Sequence, residues 1–264
     1  MTNVFLVVWR ESLEAWLIVA MLSAWLGAND EGRRGRIALA GGVLAGIALA
    51  ATLGWAMLDI RDDLTGDALE AFRIAALIIA AGMITHMVLW MRRHSREMKT
   101  RLHAGLAHAR RNGGLFGVAL VAALAVAREG AETVVFLCGL AQGIDAGTLT
   151  VGALGGLVAA GATAGLANRS LARLDIGLVL RLSSLALLVI ASAMAVAACD
   201  RLIGTGWLPP LVDPLWDSAW LVDDASTAGK LLADFAGYRA RPALTTLGVW
   251  SLYWLAVTLL WRRR

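Results

Sequence analysis

The chain has 264 residues, of which 59% are hydrophobic and only 17% charged, with a mean hydropathy of +0.68. Soluble domains run at roughly 25% charged and 45–50% apolar, so a water-soluble globular fold is excluded. The net charge of +4 would suggest an acidic partner such as nucleic acid, and only the placement of the basic residues can decide that.

Seven stretches contain the ~18 or more mostly apolar residues that a helix needs to cross a ~30 Å hydrocarbon core: about 3–26, 37–58, 72–91, 114–141, 148–167, 179–199 and 243–261. The expected fold class is an all-α integral membrane protein with seven transmembrane helices in one membrane domain. The first stretch lacks a basic leader, is too long for a signal peptide and carries Arg10, Glu11 and Glu14, so it reads as a true span. The second and fifth carry Gly42 with Gly46 and Gly152 with Gly156, spacings that let helix backbones approach closely. In the third, His86 is flanked by Met83 and Met87 at helical spacing; packing accounts for them, and a soft exit site for a metal is the alternative. The longest gap, about 200–242, keeps Trp207, Trp216 and Trp220, and the eleven tryptophans read mainly as interfacial anchors. Cys138 and Cys199 are the only two cysteines, and neither a redox compartment nor metal chemistry follows from them.

The basic residues fall in alternate loops: Arg33, Arg34 and Arg36; then Arg92, Arg93, Arg96, Lys99, Arg101, Arg110 and Arg111; then Arg169 and Arg173; then Arg262, Arg263 and Arg264. The intervening loops hold Asp59, Asp62, Asp63, Asp67 and Glu70, then Asp145, then Asp200, Asp213, Asp217, Asp223, Asp224 and Asp234. By the positive-inside rule the N-terminus is outside and the C-terminus cytoplasmic. The basic clusters are therefore topogenic and contact anionic lipid; nucleic acid is not a partner. The acidic loops read as solvated surface, with gathering of cations as the alternative.

Arg10-Glu11-Ser12-Leu13-Glu14 in the first span returns as Arg128-Glu129-Gly130-Ala131-Glu132 in the fourth, and Phe72-Arg73 opens the third as Leu180-Arg181 opens the sixth. This predicts two three-helix repeats, about 1–92 and 113–203, then an external loop of about 204–242 and a seventh helix of about 243–261. Three spans separate equivalent points, so one repeat is inverted relative to the other. At 1.5 Å per residue, Glu11 and Glu14 lie about 12–17 Å, and Glu132 and Glu129 about 14–18 Å, below the outer ends of their spans. Both motifs reach one level.

Residues three apart share a helix face, so Glu11 pairs with Glu14 while Arg10 reaches Glu14 at i,i+4, and the second motif repeats this. Four glutamates and two arginines carry a formal charge of −2, which in a dehydrated site wants a cation. Oxygen-only ligation selects hard ions such as Fe3+, Mg2+, Ca2+ or Mn2+. Buried salt bridges that merely join helices are the plainer account, but charges at this depth cost at least ~2.5–3.5 kcal/mol each on insertion scales. A di-iron enzyme would need Glu-x-x-His, which is absent, as are a Gly-rich phosphate loop, an HExxH zinc motif and a Gly-x-Ser-x-Gly elbow.

Two Arg-Glu-x-x-Glu motifs, in the first and fourth of seven spans, resemble the oxidase-dependent iron permease family of fungi and bacteria. Trp90-Met91-Arg92-Arg93, Trp216-Asp217 and Gly237-Tyr238-Arg239-Ala240-Arg241-Pro242 are similar to bacterial members, so the likeness covers nearly the whole chain. The resemblance implies a transporter rather than an enzyme, with Glu11, Glu14, Glu129 and Glu132 as iron ligands and Arg10 and Arg128 supporting them. It implies iron as substrate, oxidised from Fe2+ to Fe3+ by an external oxidase or periplasmic iron-delivery partner, with no permanently bound cofactor. Fungal members carry Asp-Ala-Ser-Glu in the last external loop, where Asp224-Ala225-Ser226 is followed here by Thr227. Some relatives are assigned to lead uptake, and a non-transporting anchor of a redox complex is the alternative of a different class. Oligomeric state stays open.

Overall fold

The computed structural model describes residues 2–28, 32–94, 98–141, 144–169, 176–224 and 226–262. Eight helices and no strand are found among them: α1 (Thr2–Ala28), α2 (Gly32–Asp63), α3 (Gly66–His94), α4 (Met98–Leu140), α5 (Ala146–Arg169), α6 (Ile176–Gly204), α7 (Thr227–Ala236) and α8 (Leu244–Arg262). Six of these are long and apolar enough to cross a membrane, over residues 33–63, 66–92, 114–140, 146–166, 178–204 and 244–262. The first helix has 27 residues, and its apolar run is interrupted by Arg10, Glu11 and Glu14. Of the basic loop residues, Arg96, Arg173, Arg263 and Arg264 lie outside the described residues, as do Ser95 and Ala225.

The fourth apolar segment begins at Gly114, where α4 breaks: this residue has φ 58° and ψ −140°, a conformation closed to residues with a Cβ. The expected external loop of 204–242 is less irregular than its composition suggests, because it contains α7. Ser226 caps that helix by accepting from the Gly229 amide, and Gly237 ends it in the left-handed region.

The most extensive interfaces join α2 to α4, α1 to α5 and α3 to α6, with α1 also against α4; α1 and α2, neighbours in sequence, meet far less. Glycine explains the first two. A Cβ on Gly42 would strike the Ala119 carbonyl, one on Gly46 would lie 2.7 Å from the Ala123 carbonyl, and one on Gly156 would lie 2.7 Å from the Phe5 carbonyl. Gly42 and Gly46 thus bring α2 backbone onto α4, and Gly156 brings α5 backbone onto α1.

Two apolar clusters form the interior. One gathers Val7, Leu77, Ile84, Phe136, Leu187 and Met194; the other gathers Leu22, Leu26, Leu39, Val118 and Ala122. Along α1 the charged motif falls between them.

The segment between α6 and α8 is tied down by charge. Asp200 binds Arg239 Nε at 2.6 Å and the Thr246 hydroxyl at 2.8 Å. Glu70 accepts from Arg201 at 2.5 Å, and Asp217 from Arg241 Nε at 2.9 Å. The Ala219 amide, with Arg241, holds the Asp217 carboxyl below the usual carboxylate range. Asp224 accepts from the Ala240 amide at 3.0 Å. Asp200, Asp217 and Asp224 tie the loop and Glu70 ties α3 to α6, beyond the solvated surface expected of these acids. Cys138 and Cys199 are both free thiols.

The close approach of α2 to α4 sets a contrast between adjacent residues. Gly41 faces open space while Gly42 and Gly46 face α4 backbone, so Gly42→Ala and Gly46→Ala should each destabilise the detergent-solubilised protein by about 1–3 kcal/mol. Gly41→Ala should leave its thermal unfolding midpoint unchanged.

Candidate metal centre

The site forms where α1 crosses α4. Glycine and alanine on the neighbouring helices bring the backbones close, and each helix turns its Arg-Glu-x-x-Glu face inward. Arg10 has no exposed surface. Its guanidinium forks between the two glutamates of its own helix, with Nη1 to Glu11 Oε1 at 2.8 Å and Nη2 to Glu14 Oε1 at 2.5 Å. The same two nitrogens reach across to α3, Nη1 to the Met87 sulfur and Nη2 to the Met91 sulfur. On α4, Arg128 Nε binds Glu132 Oε1 at 2.9 Å, the i,i+4 pair expected from the sequence.

Carboxylate oxygens of Glu11, Glu14 and Glu129 lie within 4.8 Å of one another, about twice the 2.3–2.6 Å that a hard cation keeps from its oxygen ligands. Three of the four motif glutamates therefore share one point. Glu132 stands beside it, held by Arg128 and within electrostatic reach of Glu11 and Glu14. Glu11 Oε2, Glu129 Oε2 and Glu132 Oε2 are buried and accept no hydrogen bond. Buried acceptors without donors are costly, and here they are like-charged as well; a multivalent cation satisfies both deficits at once.

The two motifs differ in their surroundings. The Arg128 side chain is 53% exposed, and its guanidinium stands 5.4 Å from the centre of the Trp90 ring. It pairs with Glu132 alone among the ion pairs described, whereas Arg10 holds both glutamates of its motif. The expectation that the second motif repeats the first is met at i,i+4 and not beyond, because α3 offers Arg10 two thioethers in a closed interior and Arg128 one indole at the edge.

His86 is not part of this cluster. It is exposed and lines a groove of about 620 Å3 between α3, α6 and α8, with Thr85 and Tyr253, whose hydroxyls lie 2.9 Å apart. Met87, one residue on, turns to the buried face and meets Arg10, so His86 and Met87 do not act together. The sequence reading missed the Met87 and Met91 contacts with Arg10. The available signal was their i,i+4 spacing on a buried face of the third span.

Toward the α7 end, one turn from Glu11 is Val7 and one turn from Glu132 is Phe136, both without exposed surface. A further turn leads to Asn3 and Leu140, which line a cavity of about 470 Å3 with Leu77, Met194 and Asp234. Asn3 Nδ2 donates to the Asp234 carbonyl of α7 at 2.6 Å, so α7 roofs this cavity, and Val7 and Phe136 stand between it and the carboxylates along α1 and α4.

Residues 1–262 match the sequence model of the Iron permease FTR1 family. The chain belongs to this family. It is 31% identical over 252 residues to the ferrous iron permease EfeU of Escherichia coli O6:H1, covering 94% of this chain and 91% of that protein. The same identity and coverage hold for the EfeU of Shigella sonnei, and the EfeU of Yersinia pestis is 30% identical over 265 residues, covering 97% and 91%. No solved structure matches. With its apolar helices and bacterial relatives, this permease is a multi-pass bacterial membrane protein.

The buried ion pair makes a stability prediction. Arg10→Ala leaves Glu11 and Glu14 without their counter-ion and should destabilise the solubilised permease by about 3–5 kcal/mol. Adding Glu14→Ala should restore part of that loss, read as the thermal midpoints of both single variants and the double variant.

Proposed function

We propose that the permease carries iron inward across the bacterial inner membrane through the carboxylates of Glu11, Glu14, Glu129 and Glu132, with Arg10 and Arg128 as their counter-ions. The observation that carries this is the convergence of Glu11, Glu14 and Glu129, the first and last of them buried, with carboxylate oxygens within 4.8 Å of one another in a chain of an iron permease family. Its relatives are named for ferrous iron. The all-oxygen donor set favours a harder ion at the crossing point, so Fe2+ is oxidised outside and bound here as Fe3+. The electron goes to an external oxidase or periplasmic iron-delivery partner.

In this reading α1 is a seventh span, and the halves α1–α3 and α4–α6 are inverted repeats. Support comes from the pairing: exchanging α1 with α4, α2 with α5 and α3 with α6 maps the α2–α4 interface onto α5–α1 and returns α3–α6 and α1–α4 to themselves. The N-terminus and α7 are outside, where the cavity beneath α7 receives the ion. The arginines serve the glutamates as counter-ions between transport events. They also limit affinity, since the ion must compete with a guanidinium for the same oxygens, and this lets it leave toward the cytoplasm.

Replacing any one of Glu11, Glu14, Glu129 or Glu132 by Gln should lower radiolabelled iron uptake at least about tenfold at unchanged membrane expression, because the amide keeps the size and loses the charge. Wild-type uptake in Glu14→Gln and Glu129→Gln would sink the anionic cage. Arg10→Ala with Glu14→Ala, and Arg128→Ala with Glu132→Ala, should stay inactive even where stability recovers; restored transport would make these charges structural. The same assay with lead tests the ion. Cysteines introduced at Ser226 and Ser95 should react with an impermeant thiol reagent from outside and from the cytoplasm respectively, and the reverse would overturn the orientation.

A further inference from the structure

The Trp90-Met91 pair at the end of the third span has no role in the carboxylate cage, yet it stands against that cage's counter-ions. Met87 and Met91 lie four residues apart on α3, and both sulfurs meet the guanidinium of Arg10. Trp90, on the same turn, stands beneath the guanidinium of Arg128 at 5.4 Å. One face of the C-terminal part of α3 thus touches the arginines of both motifs.

The chemistry of these contacts is distinctive. A thioether is a weak neutral acceptor, and an indole face attracts a cation through its quadrupole while carrying no formal charge. An acidic side chain in their place would hold the arginines more tightly and would add negative charge to the site. An aliphatic one would give a buried guanidinium nothing beyond the glutamates. Of the charged residues on α3 past Arg73, Arg92 and Arg93 come after Met91, so this face contributes no anion.

We propose that Met87, Trp90 and Met91 form a charge-free seat for Arg10 and Arg128, on which the guanidiniums remain while an arriving metal cation takes their carboxylates. The three are positioning residues for the counter-ions and do not ligate the metal. This rests on the transport reading above and adds a means by which the ion displaces the arginines without leaving Arg10 a bare cation in the helix interior. The carboxylates exchange one partner for another while each arginine keeps a second contact.

Without the seat, Arg10 has only Glu11 and Glu14 to bind, so iron must compete against a more firmly held guanidinium. Met87→Leu with Met91→Leu keeps volume and removes the acceptors. In iron uptake corrected for membrane expression, this pair should raise the half-saturating iron concentration about tenfold and leave the maximal rate within about twofold. Met87→Gln with Met91→Gln supplies neutral acceptors of similar length and should return the half-saturating concentration to within about twofold of the parent. On the second arginine, Trp90→Leu should raise it and Trp90→Phe should restore it, since a phenyl ring keeps the cation-facing surface.

Half-saturation unchanged in the leucine pair would overturn the proposal. So would a glutamine pair that behaves like the leucine pair, since packing alone would then explain the loss. Should the leucine pair fail to reach the membrane, Met91→Leu and Met91→Gln are compared in the same way, with the same two outcomes. Glu14→Gln, measured alongside, separates the layers: wild-type uptake there removes the transport site itself, whereas loss there with unaffected methionine variants removes only the seat.

Discussion

Everything in this molecule is arranged around a guanidinium that has no access to water. Arg10 is enclosed by two glutamates of its own helix and two methionines of α3, and a charge so placed is tolerated only with partners at close range. That demand fixes α3 against α1. Glu11 and Glu14 also share one point with Glu129 of α4, and because like charges there repel, only tight packing holds α4 against α1. The glycines that bring α2 onto α4 and α5 onto α1 are the means, so helix packing and site electrostatics are solved together.

Much of this was legible in the sequence. Apolar length gave the long helices, and i,i+4 geometry gave the Arg10–Glu14 and Arg128–Glu132 pairs, because both depend on local repetition alone. The glycine spacings announced close interfaces without naming the partners. What escaped depends on rotation about a helix axis and on non-local neighbours. Which face of α3 turns inward decides that Met87 meets Arg10 and His86 does not. Glu132 was expected in the cluster with the other three and stands beside it, since Arg128 holds it back. Helix α7 was hidden because its ten residues are far fewer than the ~18 apolar ones by which the other long helices announce themselves.

The two motifs are the same in letters and different in environment. One arginine is sealed and bidentate to its own helix; the other is half exposed, with one carboxylate and one aromatic face. A duplicated pattern in a chain that folds on itself does not place its copies in equivalent surroundings, because each sees different later elements. The carboxylate cluster inherits this asymmetry: Glu11 and Glu14 share a guanidinium, while Glu129 has none directly bound among the described ion pairs.

The ion pairing within α1 bears on how the chain is made. Helix α1 leaves the ribosome before its partners α4 and α5, which are synthesised only after two further long helices. During that interval Glu129 and Glu132 do not yet exist, and Arg10 must be accommodated by what its own helix provides. Because Glu11 and Glu14 are within reach on the same helix, the segment can present itself to the insertion machinery with its cation already matched, leaving one surplus negative charge instead of three separate ones. Helix α4 arrives with the same device in Arg128 and Glu132. Each motif carries its own counter-charge on its own helix, and the surplus anions that later meet where α1 crosses α4 are what remains after each helix has settled its charges alone.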